Sequence, residues 1–164
     1  MSLPTLYALV LAAGKSSRYG EVKQLAQYRG LSLATRALRE AEAVCEERTI
    51  LVSGNAAAAV HAACRPLCGF LVHNDNFESG IASSITSGLK AAAAAADGVL
   101  ITLADQPLVT RQHLAALARL WRQHPDKIIA SAYAGTNGVP AIFPRARFPE
   151  LFALRGDQGA RRVI

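Results

Sequence analysis

Apolar positions along this chain alternate between two spacings. Leu6 to Ala12 (LYALVLA) is apolar throughout, the mark of a strand buried on both faces of a parallel sheet. Ser32 to Cys45 switches to helical spacing, with Leu33, Ala37, Leu38 and Ala41 on one stripe and no Pro or Gly inside. Thr49 to Val52 predicts a second strand, closed by Ser53-Gly54-Asn55. A short helix over Ala56 to Cys64 and a third strand over Gly69 to His73 follow. Ser79 is a candidate N-cap for a long helix running to Ala96, with Ile81, Ile85, Gly88 and Leu89 on its buried face. Its last six alanines, Ala91 to Ala96, are good helix formers. Gly98 to Leu103 predicts a fourth strand, stopped by Pro107. Thr110 caps a helix with Leu114, Leu117, Ala118 and Trp121 on one face, ending before Pro125. Lys127 to Tyr133 predicts a fifth strand and Gly135 to Gly138 a turn. Ala141 to Phe143 predicts a short strand, and Ala146 to Leu154 a short helix.

Strands alternating with helices predict one α/β domain over residues 1–164, its mostly parallel sheet flanked by helices. No internal repeat or linker interrupts it. Ligands in such folds sit at the carboxyl ends of the strands. The chemistry is therefore expected just after Ala12, His73 and Leu103.

Composition narrows the function classes. With 51% hydrophobic residues the chain can bury a real core, which argues against long disordered stretches. Its 32 alanines suit close helix–sheet packing. Eighteen Lys and Arg against 12 Asp and Glu leave a formal charge of +6. The basic residues are scattered and aromatics make up only 6%, a poor match to a nucleic-acid surface. A small polyphosphate substrate needs only a few cations in one cleft. No apolar run reaches the roughly 18 residues of a membrane span. Met1 to Val10 lacks a basic leader and a cleavage site, so secretion is not expected. Cys45, Cys64 and Cys68 cannot all pair, which points to a reducing, cytoplasmic setting. His61-x-x-Cys64-x-x-x-Cys68 lacks a fourth ligand and is a weak metal motif; small buried residues around a loop account for it as well.

Three segments carry unusual residues. Directly after the first strand comes Leu11-Ala12-Ala13-Gly14-Lys15-Ser16-Ser17-Arg18-Tyr19-Gly20, then Lys23-Gln24-Leu25. Gly14 lets the backbone approach a ligand closely, and consecutive N–H groups in such a loop form an anion site. Arg18 and Lys23 add two cations for a triphosphate. A P-loop would need Gly at position 9, which is Leu9, and a dinucleotide fingerprint would need Gly at position 16, which is Ser16. The second segment is Leu103-Ala104-Asp105-Gln106-Pro107. A carboxylate ending a buried strand can hold a divalent cation, or merely cap the next turn. The third is Asn74 to Ser84, where Ser79, Gly80, Ser83 and Ser84 either bind an anion or a base edge or only cap a helix.

Taken in order, these segments resemble the molybdenum-cofactor nucleotidyltransferases (MobA-like NTP transferase domains), most of all the cytidylyltransferase branch. The matching residues are Leu11-Ala-Ala-Gly14-x-Ser16-x-Arg18-x-Gly20-x-x-Lys23-Gln24-Leu25, Glu78-Ser79-Gly80-Ile81-Ala82-Ser83-Ser84-Ile85 and Ala104-Asp105-Gln106-Pro107. Gly138-Val139-Pro140-Ala141-Ile142-Phe143 and Gly156-Asp157-Gln158-Gly159-Ala160-Arg161 complete the series.

The resemblance implies a Rossmann-like, three-layer domain similar to the nucleotide-diphospho-sugar transferases. It implies transfer of a cytidylyl group from CTP to the phosphate of molybdopterin, with Mg2+ and release of pyrophosphate. Leu11, Ala12, Ala13, Gly14, Lys15, Ser16, Arg18, Lys23, Ser79, Gly80, Ser83 and Ser84 would bind the nucleotide. Lys23 would stabilise the α-phosphate, Arg18 the β,γ-phosphates, and Asp105 the metal; relatives draw a second acidic ligand from a later strand and helix, for which Asp157 is a substitute, though its loop reads equally well as a helix start. Gln106, Pro107, Gly138 and Pro140 would face the acceptor. Ala13, where the guanosine branch has Gly, points to CTP. Relatives of this type continue into a last strand and helix, expected beyond Ile164. A molybdoenzyme or its chaperone would receive the product. The alternatives are another nucleotide, such as GTP, another acceptor, such as a sugar phosphate or isoprenoid precursor, or a non-catalytic pterin binder.

Overall fold

Strand β1 (Leu6–Ala12) is buried on both faces, as its unbroken apolar run demands, and it forms the middle of the sheet. The computed structural model describes residues 2–14, 22–66 and 68–164. A small hairpin, β2 (Gln27–Tyr28) and β3 (Leu31–Ser32), leads into helix α1 (Leu33–Cys45). Then come β4 (Thr49–Ser53), α2 (Ala57–Ala63), β5 (Phe70–His73), α3 (Ile81–Ala92) and β6 (Gly98–Leu103). Helix α4 (Arg111–Gln123), β7 (Ile129–Tyr133), β8 (Thr136–Pro144) and α5 (Phe148–Phe152) complete the order.

Among the described residues the main sheet has six strands in the order β5-β4-β1-β6-β8-β7. The first four are mutually parallel, whereas β8 runs antiparallel to both β6 and β7. One face carries α1, α2 and α4, where Leu38, Ala41, Val60, Leu114 and Trp121 pack on Ala8, Val10 and Leu100. The other carries α3 and α5, where Ile85, Leu89 and Leu151 pack on Leu9, Ile50 and Ile101. Burying each such Leu or Ile stabilises the fold by about 1.5–3 kcal/mol. The chain leaves β1 toward β4 on one side and leaves β6 toward β8 on the other. Diverging connections open a crevice at the carboxyl ends of β1 and β6.

Several expectations shift in detail. Ser79 does not cap α3: Gly80 holds that position with φ at +110°, and the Ser79 hydroxyl donates to the Asn76 carbonyl at 2.8 Å. The helix ends at Ala92, and the last alanines form a turn that packs Ala96 into the core. Leu33, Ala37 and Ile81 are half-buried, because Ala34 and Ala82 take the innermost positions. Ala141 to Phe143 belongs to the nine-residue β8, since pairing with β7 extends it back to Thr136. The segment after Pro144 divides into a 3-10 turn, Arg145–Arg147, and the single turn of α5.

Candidate active site

The crevice between β1 and β6 deepens into a cleft of about 440 Å³, within the range of small-molecule sites. Three stretches line it: Leu11, Ala13 and Gly14 after β1; Leu103, Ala104 and Asp105 after β6; and Phe77, Glu78, Gly80, Ile81 and Ser84 at the start of α3. Lys23, Gln24 and Asp157 close it. Parallel pairing explains why the first two stretches meet: Leu11 stands opposite Leu103, and the Ala104 N–H donates to the Leu11 carbonyl at 3.0 Å.

Lys23 Nζ lies 3.0 Å from Asp105 Oδ2, and both side chains are about half exposed. Such an exposed pair adds little stability. It does place a cation and a carboxylate side by side in the cleft. Asp105 sits in a braced turn: Arg36 Nε donates to the Pro107 carbonyl at 2.8 Å, and the Val109 N–H to the Gln106 carbonyl at 3.2 Å. Gln24 is buried beside Gly14, and its Nε2 donates to the Gly14 carbonyl at 2.9 Å. That bond pins the backbone where β1 opens into the loop.

The start of α3 is held by Asn74, itself buried. Its N–H donates to the Ser53 carbonyl at 2.7 Å, and its Nδ2 donates to the hydroxyls of Ser83 and Ser84 at 2.8 and 3.0 Å. Gly80 is required here: a Cβ would run into the Gly156 carbonyl and lie 2.7 Å from Asp157 Oδ1. The Ala82 N–H also donates to the Gly156 carbonyl at 3.1 Å, so the Gly156–Asp157 loop seats on the helix N-terminus and brings Asp157 into the cleft.

The structure therefore brings Leu11, Ala13, Gly14, Lys23, Gly80, Ser84, Asp105 and Asp157 to one cleft. Ala12 points into the core on the α1 face. Ser79 and Ser83 are outside the cleft lining, their hydroxyls bonded to the Asn76 and Gly80 carbonyls. Lys15, Ser16 and Arg18 lie outside the described residues. The sequence assigns no role to Phe77, Arg36 or Gln24. Nothing in the local pattern marks them, since their value lies in long-range contacts.

A second pocket of about 520 Å³ opens beside the first. Gln106, Pro107, Leu108 and Val109 form one side, Ser131, Ala132, Tyr133, Val139 and Pro140 the other, and His113 of α4 lies at its edge. Its walls are mostly apolar, and Leu108 is 79% exposed. Three residues expected on the acceptor side, Gln106, Pro107 and Pro140, meet here. Gly138 sits just behind, where a Cβ would strike the Tyr133 hydroxyl.

For a divalent cation the chain offers hard oxygen donors. Asp105 is half exposed, and both it and Asp157 line the cleft. Two carboxylates with room for phosphate oxygens and water fit magnesium or manganese chemistry. Burial and the absence of a charged partner oppose such a site in the core; neither applies to Asp105.

Comparison with known proteins fits this geometry. The chain is 32% identical to the purine catabolism protein PucB of Bacillus subtilis (strain 168) over 172 residues, covering 100% of this chain and 82% of PucB. It is 32% identical to nicotine blue oxidoreductase of Paenarthrobacter nicotinovorans over 174 residues, covering 97% of this chain and 81% of that protein. The crystal structure of Rv0371c from Mycobacterium tuberculosis H37Rv superposes with a TM-score of 0.86 at 31% identity, covering 99% and 82% of the two chains. Rv0371c has also been crystallised in complex with manganese (TM-score 0.77, 30% identity, 97% and 81% covered). Nucleotidyltransferases of lower identity share the fold, that of the nucleotide-diphospho-sugar transferases. Residues 8–164 match the family model of the MobA-like NTP transferase domain, and the chain belongs to that family.

Proposed function

We propose that this protein transfers a cytidylyl group from CTP to the phosphate of molybdopterin, with a divalent cation, magnesium, and release of pyrophosphate. The observation that carries the reading is the Lys23–Asp105 pair, 3.0 Å apart, in a cleft walled by Ala13, Gly14 and the start of α3. Ala13 at the close of β1 supports a cytosine base over guanine. The setting would be the cytoplasm, and the product would pass to a molybdoenzyme or its chaperone. Among the described residues no helix is long and apolar enough to cross a membrane.

The residues divide the work by chemistry. Gly14 keeps the loop backbone close to the triphosphate, and the amide of Gln24 holds that peptide in place. Lys23 exchanges its contact with Asp105 for the α-phosphate, where negative charge grows during in-line attack. Asp105, joined by Asp157, would hold the cation, which supplies charge neutralisation at the phosphates. The acceptor phosphate is already largely ionised near neutral pH, so no protein base is needed. The acceptor reaches the α-phosphorus from the Gln106–Pro107 side, since Asp105 of the cleft and Gln106 of the apolar pocket are adjacent in the chain. Holding both substrates there converts a bimolecular step into an oriented one.

The test is a pyrophosphate-release assay with CTP, GTP, ATP and UTP, each with magnesium and molybdopterin, glucose 1-phosphate or methylerythritol phosphate. Release with CTP and molybdopterin alone is the expected result. Preferred use of GTP would overturn the cytidine assignment, and release only with a sugar phosphate would overturn the acceptor.

A further inference from the structure

The apolar pocket owes its shape to an irregularity between β7 and β8. Ala130 pairs with Ala141, but the next residue of β7, Ser131, pairs with Gly138. Two residues of β8, Val139 and Pro140, therefore bulge out of the ladder. They also lie beyond the end of pairing with β6, whose last partner on this strand is Ala141. Their carbonyls need donors from elsewhere.

Side chains supply them. Ser131 Oγ donates to the Pro140 carbonyl at 2.6 Å. The Val139 carbonyl accepts from Gln106 Nε2 at 3.2 Å and from the Tyr133 hydroxyl at 3.3 Å. The Ser131 side is extended further, because His113 Nε2 lies 2.8 Å from the same hydroxyl. A serine hydroxyl carries one proton, and here it is committed to Pro140. His113 must therefore donate, which fixes its proton on Nε2. A chain of bonds thus runs from the first turn of α4 through a buried serine to the bulged wall, and Gln106, next to Asp105, ties the same wall to the turn that bears the carboxylate.

We propose that Ser131, oriented by His113, is a positioning residue for the acceptor substrate: it fixes the Val139–Pro140 wall against which the uncharged, ring-bearing part of the acceptor packs. This rests on the reading of the cleft as a nucleotidyltransferase site and assigns a residue within it. The lining residues of the apolar pocket include no Lys or Arg. The acceptor phosphate is therefore held toward Lys23, and the pocket takes the uncharged end. A pair placed only to stabilise the strand would not single out one substrate.

The experiment compares wild type with Ser131→Ala, Ser131→Thr and His113→Phe, all checked for thermal stability. Ser131→Ala should raise KM for molybdopterin about tenfold, the size of one or two lost hydrogen bonds, with kcat and the Kd for CTP within about twofold. Ser131→Thr should restore KM, and His113→Phe should give a smaller rise of the same kind. Equal loss of CTP and acceptor binding, no change in either, or failure of threonine to restore would overturn the proposal. If wild type converts no molybdopterin, the functional reading fails, and a binding measurement decides the positioning role. Titrating 6-hydroxymethylpterin into 15N-labelled wild type should shift the amides of Ala132, Tyr133 and Val139, and Ser131→Ala should abolish the shifts. Their absence in wild type would overturn the role of Ser131 as well.

Discussion

The two pockets differ in how they are built. The polar cleft sits where parallel strands end, and its shape follows from backbone: the exit of β1, the turn after β6 and the N-terminus of α3. The apolar pocket sits where the sheet turns antiparallel, and side chains hold it: Ser131, Tyr133, Gln106 and His113 hold a wall that the ladder leaves unpaired. The first site is a property of the fold, which relatives with different chemistry can share. The second depends on particular residues, so its shape can change without rebuilding the cleft. The turn after β6 borders both, with Asp105 lining the cleft and Gln106 the apolar pocket.

The most severe break in that division is Asp105→Ala. If Asp105 is the principal cation ligand, as proposed, turnover should fall on the order of a thousandfold or more. The apolar pocket should still bind 6-hydroxymethylpterin, and assays of turnover and ring binding on one preparation check both. Gly80→Ala attacks the backbone origin of the cleft. The added methyl meets the Gly156 carbonyl at a positive φ, so urea unfolding should show a loss of about 1–3 kcal/mol, with nucleotide affinity falling as well. Arg36→Met tests the turn after β6, which borders both pockets. Loss of the 2.8 Å bond to the Pro107 carbonyl should cut turnover by about tenfold and weaken both substrates, measured as paired KM values.

The smallest effect comes from an ion pair that lines neither pocket. Glu40 of α1 accepts from Arg111 of α4, with Oε1 3.1 Å from Nη2. Burial acts to raise the Glu40 carboxyl, but the Arg111 hydrogen bonds and charge outweigh it and hold the group below its ordinary value. A lowered folded value means the carboxylate stabilises the fold above its unfolded pKa, near 4.3, and loses that contribution as pH falls through the folded value. Glu40→Gln should therefore be less stable than wild type at pH 7, and the gap should close as pH falls from the unfolded value through the lowered folded one. Chemical denaturation across that range checks it. Neither pocket should change its affinity.

Much of this molecule was legible in its one-dimensional pattern. Leu6–Ala12 reads as a central strand because no polar residue interrupts it, and the structure buries it on both faces. The α4 stripe of Leu114, Leu117, Ala118 and Trp121 is likewise the buried face, and Thr110 caps that helix, its hydroxyl accepting from the His113 N–H at 3.3 Å. The position of the cleft was legible for the same reason: Gly14 and Asp105 stand just after buried parallel strands, and parallel pairing must bring such ends together. What the sequence could not show was pairing between distant segments. Whether Ser131 faces a ladder or a bulge depends on a register shift against β8. Whether Gly80 or Ser79 begins α3 depends on the Gly156 carbonyl, more than seventy residues away. Local spacing determines which residues are buried and which elements form, because those follow from a segment's own periodicity. Tertiary structure decided which carbonyls lacked partners and which side chains came to meet them. That is set by packing across the whole sheet, and no single segment carries the information.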